Sequence, residues 1–197
     1  MEIIDIRLET HQRIEDLAAR LPPPDAELLR RAYRFARQAH AGQRRRHGPP
    51  YIEHPVAVAW LAHERFGVCD GEVLAAALLH DVLEDTDTTD LGAFPARTVR
   101  LVRLLTDPHP PAGRPERQER HARLWADRDA TVLKACDRLA NLADSLLQYD
   151  PAFCARYAWR TRRELLEPGL PLAADPVALP LLEAALRLCE ERAAGRA

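Results

Sequence analysis

Four ionisable residues in three separated segments of the sequence are of the types that bind a divalent metal ion. They are His54, the adjacent pair His80 and Asp81, and Asp137. Two imidazoles and two carboxylates that leave coordination positions open suit Mn²⁺ or Fe²⁺, and Zn²⁺, Co²⁺ and Mg²⁺ accept similar ligands. The residue types therefore predict one divalent metal site to which all three segments contribute.

Two further carboxylates, Glu84 and Asp85, follow His80 and Asp81 at intervals of four residues. On a helix this spacing places the members of each pair one turn apart on the same face. Carboxylates crowded near one helix end repel one another, and a bound cation converts that repulsion into coordination. A metal ion with neighbouring carboxylates is suited to activating a water molecule beside a phosphate group.

Each of these residues also has an ordinary structural interpretation. A histidine followed by a proline, as at His54, is common at the start of a helix. Asp137 can simply pair with Lys134 or Arg138. The combination favours a metal site, because the four residues occur in order and in matching local contexts.

Helical periodicity recurs along most of the chain, and no segment of useful length alternates in the manner of a β-strand. The spacing predicts helices over about residues 28–39, 55–66, 72–85, 95–105, 116–127, 130–147, 151–166 and 177–192. Asp70 is the expected N-cap of the third helix, which is apolar on nearly all sides and should lie at the centre of the domain. The predicted fold is a single all-α domain over residues 1–197.

Composition and charge exclude several classes of protein. The 197 residues suffice for one buried core, and the formal net charge of −2 argues against a nucleic-acid binder or a polybasic membrane protein. The four cysteines form no C-x-x-C pair, which is typical of a reducing compartment. The chain shows neither a signal-peptide core nor a long apolar run. We therefore expect a cytoplasmic protein that acts on a small molecule.

The order of these ligand candidates resembles that of the HD phosphohydrolase superfamily. Further segments look like the hydrolase domain of the RelA/SpoT alarmone enzymes, namely Ala39-His40-Ala41-Gly42-Gln43, Arg45-Arg46-His47-Gly48, Pro50-Tyr51-Ile52, His54-Pro55, Ala76-Ala77-Leu78-Leu79-His80-Asp81, Glu84-Asp85-Thr86 and Asp137-Arg138-Leu139-x-Asn141. The similarity covers about residues 28–165. Over this range the sequence is similar to a stand-alone small alarmone hydrolase of the HD type, like the metazoan SpoT homologue.

This resemblance implies metal-dependent hydrolysis of the 3′-pyrophosphate of (p)ppGpp to GDP or GTP and pyrophosphate, with Mn²⁺ as cofactor. It implies that the metal is bound by His54, His80, Asp81 and Asp137 and that the catalytic residues are Glu84 and Asp85, whose steps it does not divide. His40 is expected to support the site by hydrogen bonding. A related enzyme acting on (p)ppApp or on the 2′-phosphate of NADPH is one alternative. A nucleotide-binding module with a vestigial metal site is the other, and the complete set of ligands and acids argues against it.

A basic loop is the expected substrate contact. Arg45, Arg46 and His47 lie close in sequence to the first candidate ligand, and guanidinium groups bind phosphate oxygens in pairs or stack on a purine. Arg46 and His47 stand where the family usually has Lys and Ser, which leaves the choice of base and phosphate open. Asn141, one turn after Asp137, is expected to hydrogen-bond the substrate or, alternatively, to hold Asp137.

Overall fold

The computed structural model describes residues 10–45, 48–107, 114–148 and 150–195. Within these ranges the regular secondary structure is helical, and no β-strand is present. The predicted all-α fold is confirmed. None of the helices in these ranges is long and apolar enough to span a membrane.

The helices lie close to the predicted positions. They are α1 (Thr10–Ala18), α2 (Pro23–Ala39), α3 (Glu53–Phe66), α4 (Gly71–Leu79), α5 (Val82–Asp85), α6 (Ala96–Leu105), α7 (Arg114–Ala126), α8 (Arg128–Gln148), α9 (Pro151–Leu165) and α10 (Ala178–Ala193). A short 3₁₀ turn, Pro171–Ala173, precedes α10. The sequence prediction does not include α1. α3 begins two residues before Pro55, at which the sequence predicts its start.

The chain divides into two compact units. The described residues up to position 133 form the first unit, which contains α1 to α7 and the beginning of α8. The described residues from position 134 onwards form the second unit, which contains the remainder of α8 together with α9 and α10. Within the second unit, α9 packs against α10, and Leu165 and Leu186 on these helices are buried.

α4 is the central helix of the first unit. It packs against α2, α3 and α6, and every residue from Val73 to Leu79 is buried, as its apolar sequence predicts. The predicted N-cap is confirmed, because Oδ1 of Asp70 accepts hydrogen bonds from the backbone amides of Glu72 (2.9 Å) and Val73 (3.2 Å). The cap and the packing on its sides hold α4 in place, and the helix ends directly before His80.

The single helix predicted over residues 72–85 is wrong near its end, because His80 and Asp81 form a turn that separates α4 from α5. The carbonyl oxygen of Asp81 accepts hydrogen bonds from the backbone amides of Glu84 (3.1 Å) and Asp85 (2.8 Å), and α5 starts from these bonds. So short an interruption leaves the spacing of apolar residues intact, and periodicity does not detect it. The turn carries two predicted ligands, and α5 carries the two predicted catalytic acids.

The loop between α2 and α3 folds back on itself. Backbone hydrogen bonds join the amide of Tyr51 to the carbonyl of Gln43 (3.0 Å) and the amide of Arg45 to the carbonyl of Pro49 (2.9 Å). Gly48 has a φ of 112°, which a residue with a Cβ atom rarely adopts, and it allows the chain to reverse direction here. The closed loop holds Gln43 and Tyr51 side by side directly before α3.

Candidate metal centre

Two buried imidazoles face one carboxylate oxygen in the first unit. His54 lies in the first turn of α3, His80 follows the last residue of α4, and each is only 4% exposed. The Nε2 atoms of His80 and His54 lie 3.0 and 3.6 Å, respectively, from Oδ2 of Asp81. Three of the four predicted metal ligands therefore lie together.

A hydrogen bond to the backbone places a proton of the His80 ring on Nδ1. Its Nδ1 lies 2.8 Å from the carbonyl oxygen of Ala77, which can only accept, so Nδ1 carries the proton and donates it. In the neutral ring, Nε2 then presents a lone pair towards Asp81. Two acceptor atoms at 3.0 Å repel each other unless a cation or a proton relieves the contact. Histidines that bind metals are commonly held in this way through their second nitrogen.

Tyr51 connects the predicted ligand Asp81 with the predicted catalytic residue Asp85. Its hydroxyl oxygen lies 2.7 Å from Oδ2 of each carboxylate. Burial and the two neighbouring carboxylates raise the pKa of Tyr51, so the hydroxyl keeps its proton and remains a donor. Sequence reasoning includes Tyr51 in a family motif without giving it a role. The only sequence signal is its position three residues before His54.

His40 and Gln43 support the ring of Tyr51 and the backbone of Asp85. The His40 ring is 3% exposed and stacks on the Tyr51 ring, with the two centroids 4.6 Å apart. Nε2 of Gln43 donates to the carbonyl oxygen of Asp85 (2.6 Å), so its Oε1 is the atom that accepts a hydrogen bond from Nδ1 of His40 (2.7 Å). This agrees with the supporting role expected for His40.

Glu84 has a different environment from Asp85, because Asp85 is exposed and Glu84 is half-buried. Burial raises the pKa of Glu84, and the hydrogen bond that its Oε2 accepts from the backbone amide of Asp107 (2.8 Å) opposes this rise. The negative charges of Asp107, Asp81 and Asp85 add to the increase in the pKa. Glu84 is therefore suited to hold a proton at higher pH than an ordinary glutamate.

Asp137, the fourth predicted ligand, lies on α8 in the second unit. Nζ of Lys134 lies 3.1 Å from its Oδ2, and Nδ2 of Asn141 donates to its Oδ1 (2.6 Å). Asn141 thus has the alternative role considered from the sequence, that of holding Asp137, and its contact with substrate stays a prediction. Arg138 donates instead to side chains of α9. That Asp137 binds the metal also stays a prediction.

Only part of the predicted substrate-binding loop can be compared with the structure. The guanidinium carbon of Arg45 lies 5.5 Å from the centroid of the Tyr51 ring, in the range of a cation–π contact. Arg46 and His47 lie outside the described residues. The loop is therefore linked to the predicted catalytic acids through Tyr51, and its contact with phosphate remains a prediction.

Fold and site together define a class of protein. It is all-α, and two buried histidines share an aspartate oxygen beside two further acids. Residues 32–161 match the family described as "HD domain", and the chain is a member of this family. Imidazole nitrogens and a carboxylate oxygen that face one another are suitable ligands for a divalent cation. Family and donor set together therefore indicate a divalent metal.

The chain is similar to proteins that are named as ppGpp hydrolases. It is 41% identical over 117 residues to guanosine-3′,5′-bis(diphosphate) 3′-pyrophosphohydrolase MESH1 of Danio rerio, a match that covers 56% of this chain and 64% of that protein. It is 55% identical over 69 residues to the bifunctional (p)ppGpp synthase/hydrolase SpoT of Escherichia coli, covering 35% of this chain and 10% of that protein. The chain thus spans less than two thirds of the length of either relative.

A solved structure has the same fold. It is that of a metazoan ortholog of SpoT that hydrolyses ppGpp, and it matches with a TM-score of 0.64 at 24% sequence identity. The match covers 80% of this chain and 92% of that one. The likeness establishes the helical fold of the chain as the one seen in that protein.

Proposed function

We propose that this protein is a manganese-dependent 3′-pyrophosphohydrolase of (p)ppGpp, which it converts to GDP or GTP and pyrophosphate. One observation carries the proposal. The buried imidazoles of His54 and His80 face Asp81, and the hydroxyl of Tyr51 joins that aspartate to Asp85. The membership of the chain in the HD-domain family and the activity for which similar proteins are named support the same reaction.

His54, His80 and Asp81 would hold the metal, with Asp137 as the fourth ligand. When bound, a divalent ion lowers the pKa of its water towards about 7, which would make a nucleophile available at neutral pH. Manganese is proposed because the resemblance to the alarmone hydrolases implies it, and two imidazoles and two carboxylates with open positions suit Mn²⁺ as they suit Fe²⁺. The two histidines are buried, so their place in the site is set before any substrate arrives.

Glu84 and Asp85 are the proposed catalytic acids, and their environments suggest different tasks. The new bond joins the water oxygen to the phosphorus attached to O3′, and the P–O3′ bond breaks. Asp85, whose Oδ2 accepts a hydrogen bond from Tyr51, would take the proton of the attacking water. Glu84, whose pKa is raised by burial, would supply the proton that O3′ gains on leaving.

The proposed substrate contacts are Arg45, Arg46, His47 and Asn141. Guanidinium groups bind phosphate oxygens in pairs and stack on purines, and the placement of Arg45 over Tyr51 supports its position near the reacting group. A small nucleotide is the proposed partner of the site. A reducing cytoplasm is the proposed compartment, consistent with four free cysteines.

The test is a nucleotide panel with product analysis. Protein loaded with Mn²⁺ is incubated with ppGpp, ppApp or NADPH, and the products are separated by anion-exchange chromatography. The proposal expects GDP and pyrophosphate from ppGpp at the highest kcat/KM of the three. A higher kcat/KM for ppApp or NADPH would replace the proposed substrate, and no turnover of any of the three would remove the activity.

The double variant Glu84→Ala/Asp85→Ala tests the assigned chemistry. Turnover should fall by at least about 10²-fold, the lower bound for losing a positioned acid or base, while binding of Mn²⁺ is retained. Asp87→Ala is the matched control, because this exposed aspartate lies two residues beyond the pair. Turnover in the double variant equal to that in the control would contradict the mechanism.

A further inference from the structure

We propose that Tyr51 is a positioning residue that links occupation of the metal site to the orientation of Asp85. This inference rests on the proposed function, in which Asp81 is a metal ligand and Asp85 is a catalytic acid. It concerns a residue that belongs to neither set.

The hydroxyl of Tyr51 lies 2.7 Å from Oδ2 of Asp81 and equally far from Oδ2 of Asp85. A phenolic hydroxyl has one proton, whereas two ionised carboxylates can only accept. The hydroxyl therefore donates to one of the two at a time, and the two carboxylates compete for it. This competition makes the hydrogen bonding of one acid depend on that of the other.

The contacts of Asp81 decide which of the two carboxylates accepts the hydrogen bond from Tyr51. Its Oδ2 is also the oxygen that faces the Nε2 atoms of His80 and His54. A cation shared with these imidazoles takes up lone pairs of Asp81 and makes that oxygen a weaker acceptor. The hydroxyl of Tyr51 then donates its hydrogen bond to Asp85 and so orders the carboxylate of Asp85. Metal binding and the positioning of the proposed base are thereby coupled.

The ring of Tyr51 is held firmly enough to transmit this coupling. One face stacks on the buried His40 ring at 4.6 Å, and the backbone amide of Tyr51 donates to the carbonyl of Gln43 (3.0 Å). Gln43 also donates to the carbonyl oxygen of Asp85 (2.6 Å). Gln43 thus holds both the backbone of Tyr51, which is the donor, and the backbone of Asp85, which accepts its hydrogen bond.

A purely structural role for Tyr51 makes a different prediction. If the residue served only to fill space between the loop and α5, the ring would suffice and the hydroxyl would be dispensable. Tyr51→Phe separates the two roles, because it keeps the ring that stacks on His40 and removes only the donor. Tyr33→Phe is the matched control, since Tyr33 is a buried tyrosine of the first unit that lies outside the site.

The experiment measures three quantities for wild-type protein, Tyr51→Phe and Tyr33→Phe: the Kd for Mn²⁺ by isothermal titration calorimetry, kcat and KM for ppGpp, and the melting temperature. We expect Tyr51→Phe to tighten Mn²⁺ binding about 2- to 10-fold, because the hydroxyl no longer competes with the cation for Asp81 and one hydrogen bond sets the size of that competition. We expect kcat to fall about 10- to 100-fold while KM stays within about twofold, because only the positioning of the base is lost. Tyr33→Phe should change neither constant.

Each outcome decides the matter. Tighter Mn²⁺ binding together with a lower kcat supports the coupling, whereas weaker or unchanged Mn²⁺ binding, or an unchanged kcat, overturns it. A change confined to the melting temperature would show that the hydroxyl is merely structural and would also overturn it. If the wild-type protein binds Mn²⁺ but does not turn over ppGpp, the proposed function fails separately. The ratio of the two Mn²⁺ dissociation constants then decides the inference by itself.

Discussion

Nε2 of His80 lies 3.0 Å from Oδ2 of Asp81, although the carbonyl of Ala77 holds the proton of this imidazole on the opposite nitrogen. When the ring is neutral, Nε2 and the carboxylate oxygen therefore face each other with lone pairs. Such a contact is unfavourable in a buried site unless a positive charge is present. This contact lies at the end of the buried helix α4, and an imidazole held through its second nitrogen beside a carboxylate is the arrangement expected of metal ligands.

His80→Ala should remove Mn²⁺ binding. Losing a ligand costs more than losing a partner of a ligand, which alone weakens affinity about 10- to 100-fold, so we expect a Kd at least about 100-fold weaker. Isothermal titration calorimetry measures this directly. His11→Ala is the control, because this histidine is exposed and lies on α1. Equal affinity in the two variants would be incompatible with His80 as a ligand.

Asn141→Leu tests which of two roles this residue has. In the structure its amide donates to Oδ1 of Asp137 at 2.6 Å. If holding this aspartate is its main role, the variant should weaken Mn²⁺ binding about 10-fold and leave KM within about twofold. A raised KM with unchanged Mn²⁺ affinity would assign Asn141 to the substrate instead. Steady-state kinetics at saturating Mn²⁺ and calorimetry distinguish the two results.

Gly71→Ala should destabilise the first unit. A Cβ atom at this position would lie 2.6 Å from Cβ and 2.7 Å from Cα of Asp25, and the backbone of α2 cannot move aside cheaply. Overpacking of this kind costs about 1–3 kcal/mol of the free energy of unfolding, which urea denaturation can measure. Gly92→Ala is the control, because its tightest contact is the side chain of Asp90. A variant at position 71 as stable as the control would contradict this packing.

Asp70→Ala should destabilise the protein in a way that depends on pH. Partial burial acts to raise the pKa of Asp70, but the Arg97 guanidinium and the backbone amides of Val73 and Glu72 outweigh it, so the folded-state pKa lies below its usual value. Stability gained from such a carboxylate is present above the unfolded-state pKa of about 3.9 and is lost as the pH falls through the folded-state value.

Urea denaturation at two pH values checks this expectation. At pH 7 the loss of the cap should cost about 1 kcal/mol. The difference between wild-type protein and Asp70→Ala should shrink below about pH 3. Asp87→Ala, at an exposed position, should show little effect at either pH. A difference that grows as the pH falls would show that Asp70 does not stabilise α4 as a carboxylate.

The sequence predicts the parts of this site that depend on local patterns. Apolar residues on all sides predict the buried helix α4, and a lone aspartate before it predicts the cap at Asp70; the structure confirms both. The clustering of His54, His80 and Asp81 follows from residue types that are costly to bury without a partner. The cap and the buried helix could be predicted because each is decided by residues a few positions apart, whereas the meeting of His54 with His80 is expected from the order of the ligand candidates and the family resemblance.

Other features depend on contacts between distant residues and are not predictable from spacing. The turn at His80 and Asp81 leaves the apolar pattern unchanged, so the predicted helix continues through it. The hydroxyl of Tyr51 acquires its role only because residues 30 and 34 positions later fold against it. In the same way, the hydrogen bond from Gln43 to the carbonyl of Asp85 spans 42 residues and leaves no local signal.

The most direct test of the account is a crystal structure of the protein grown with Mn²⁺, with anomalous diffraction recorded at the manganese edge. The account predicts one strong peak about 2.0–2.3 Å from donor atoms of four side chains, those of His54, His80, Asp81 and Asp137. A peak bound elsewhere, a peak that lacks either histidine, or no peak in crystals saturated with Mn²⁺ would contradict it.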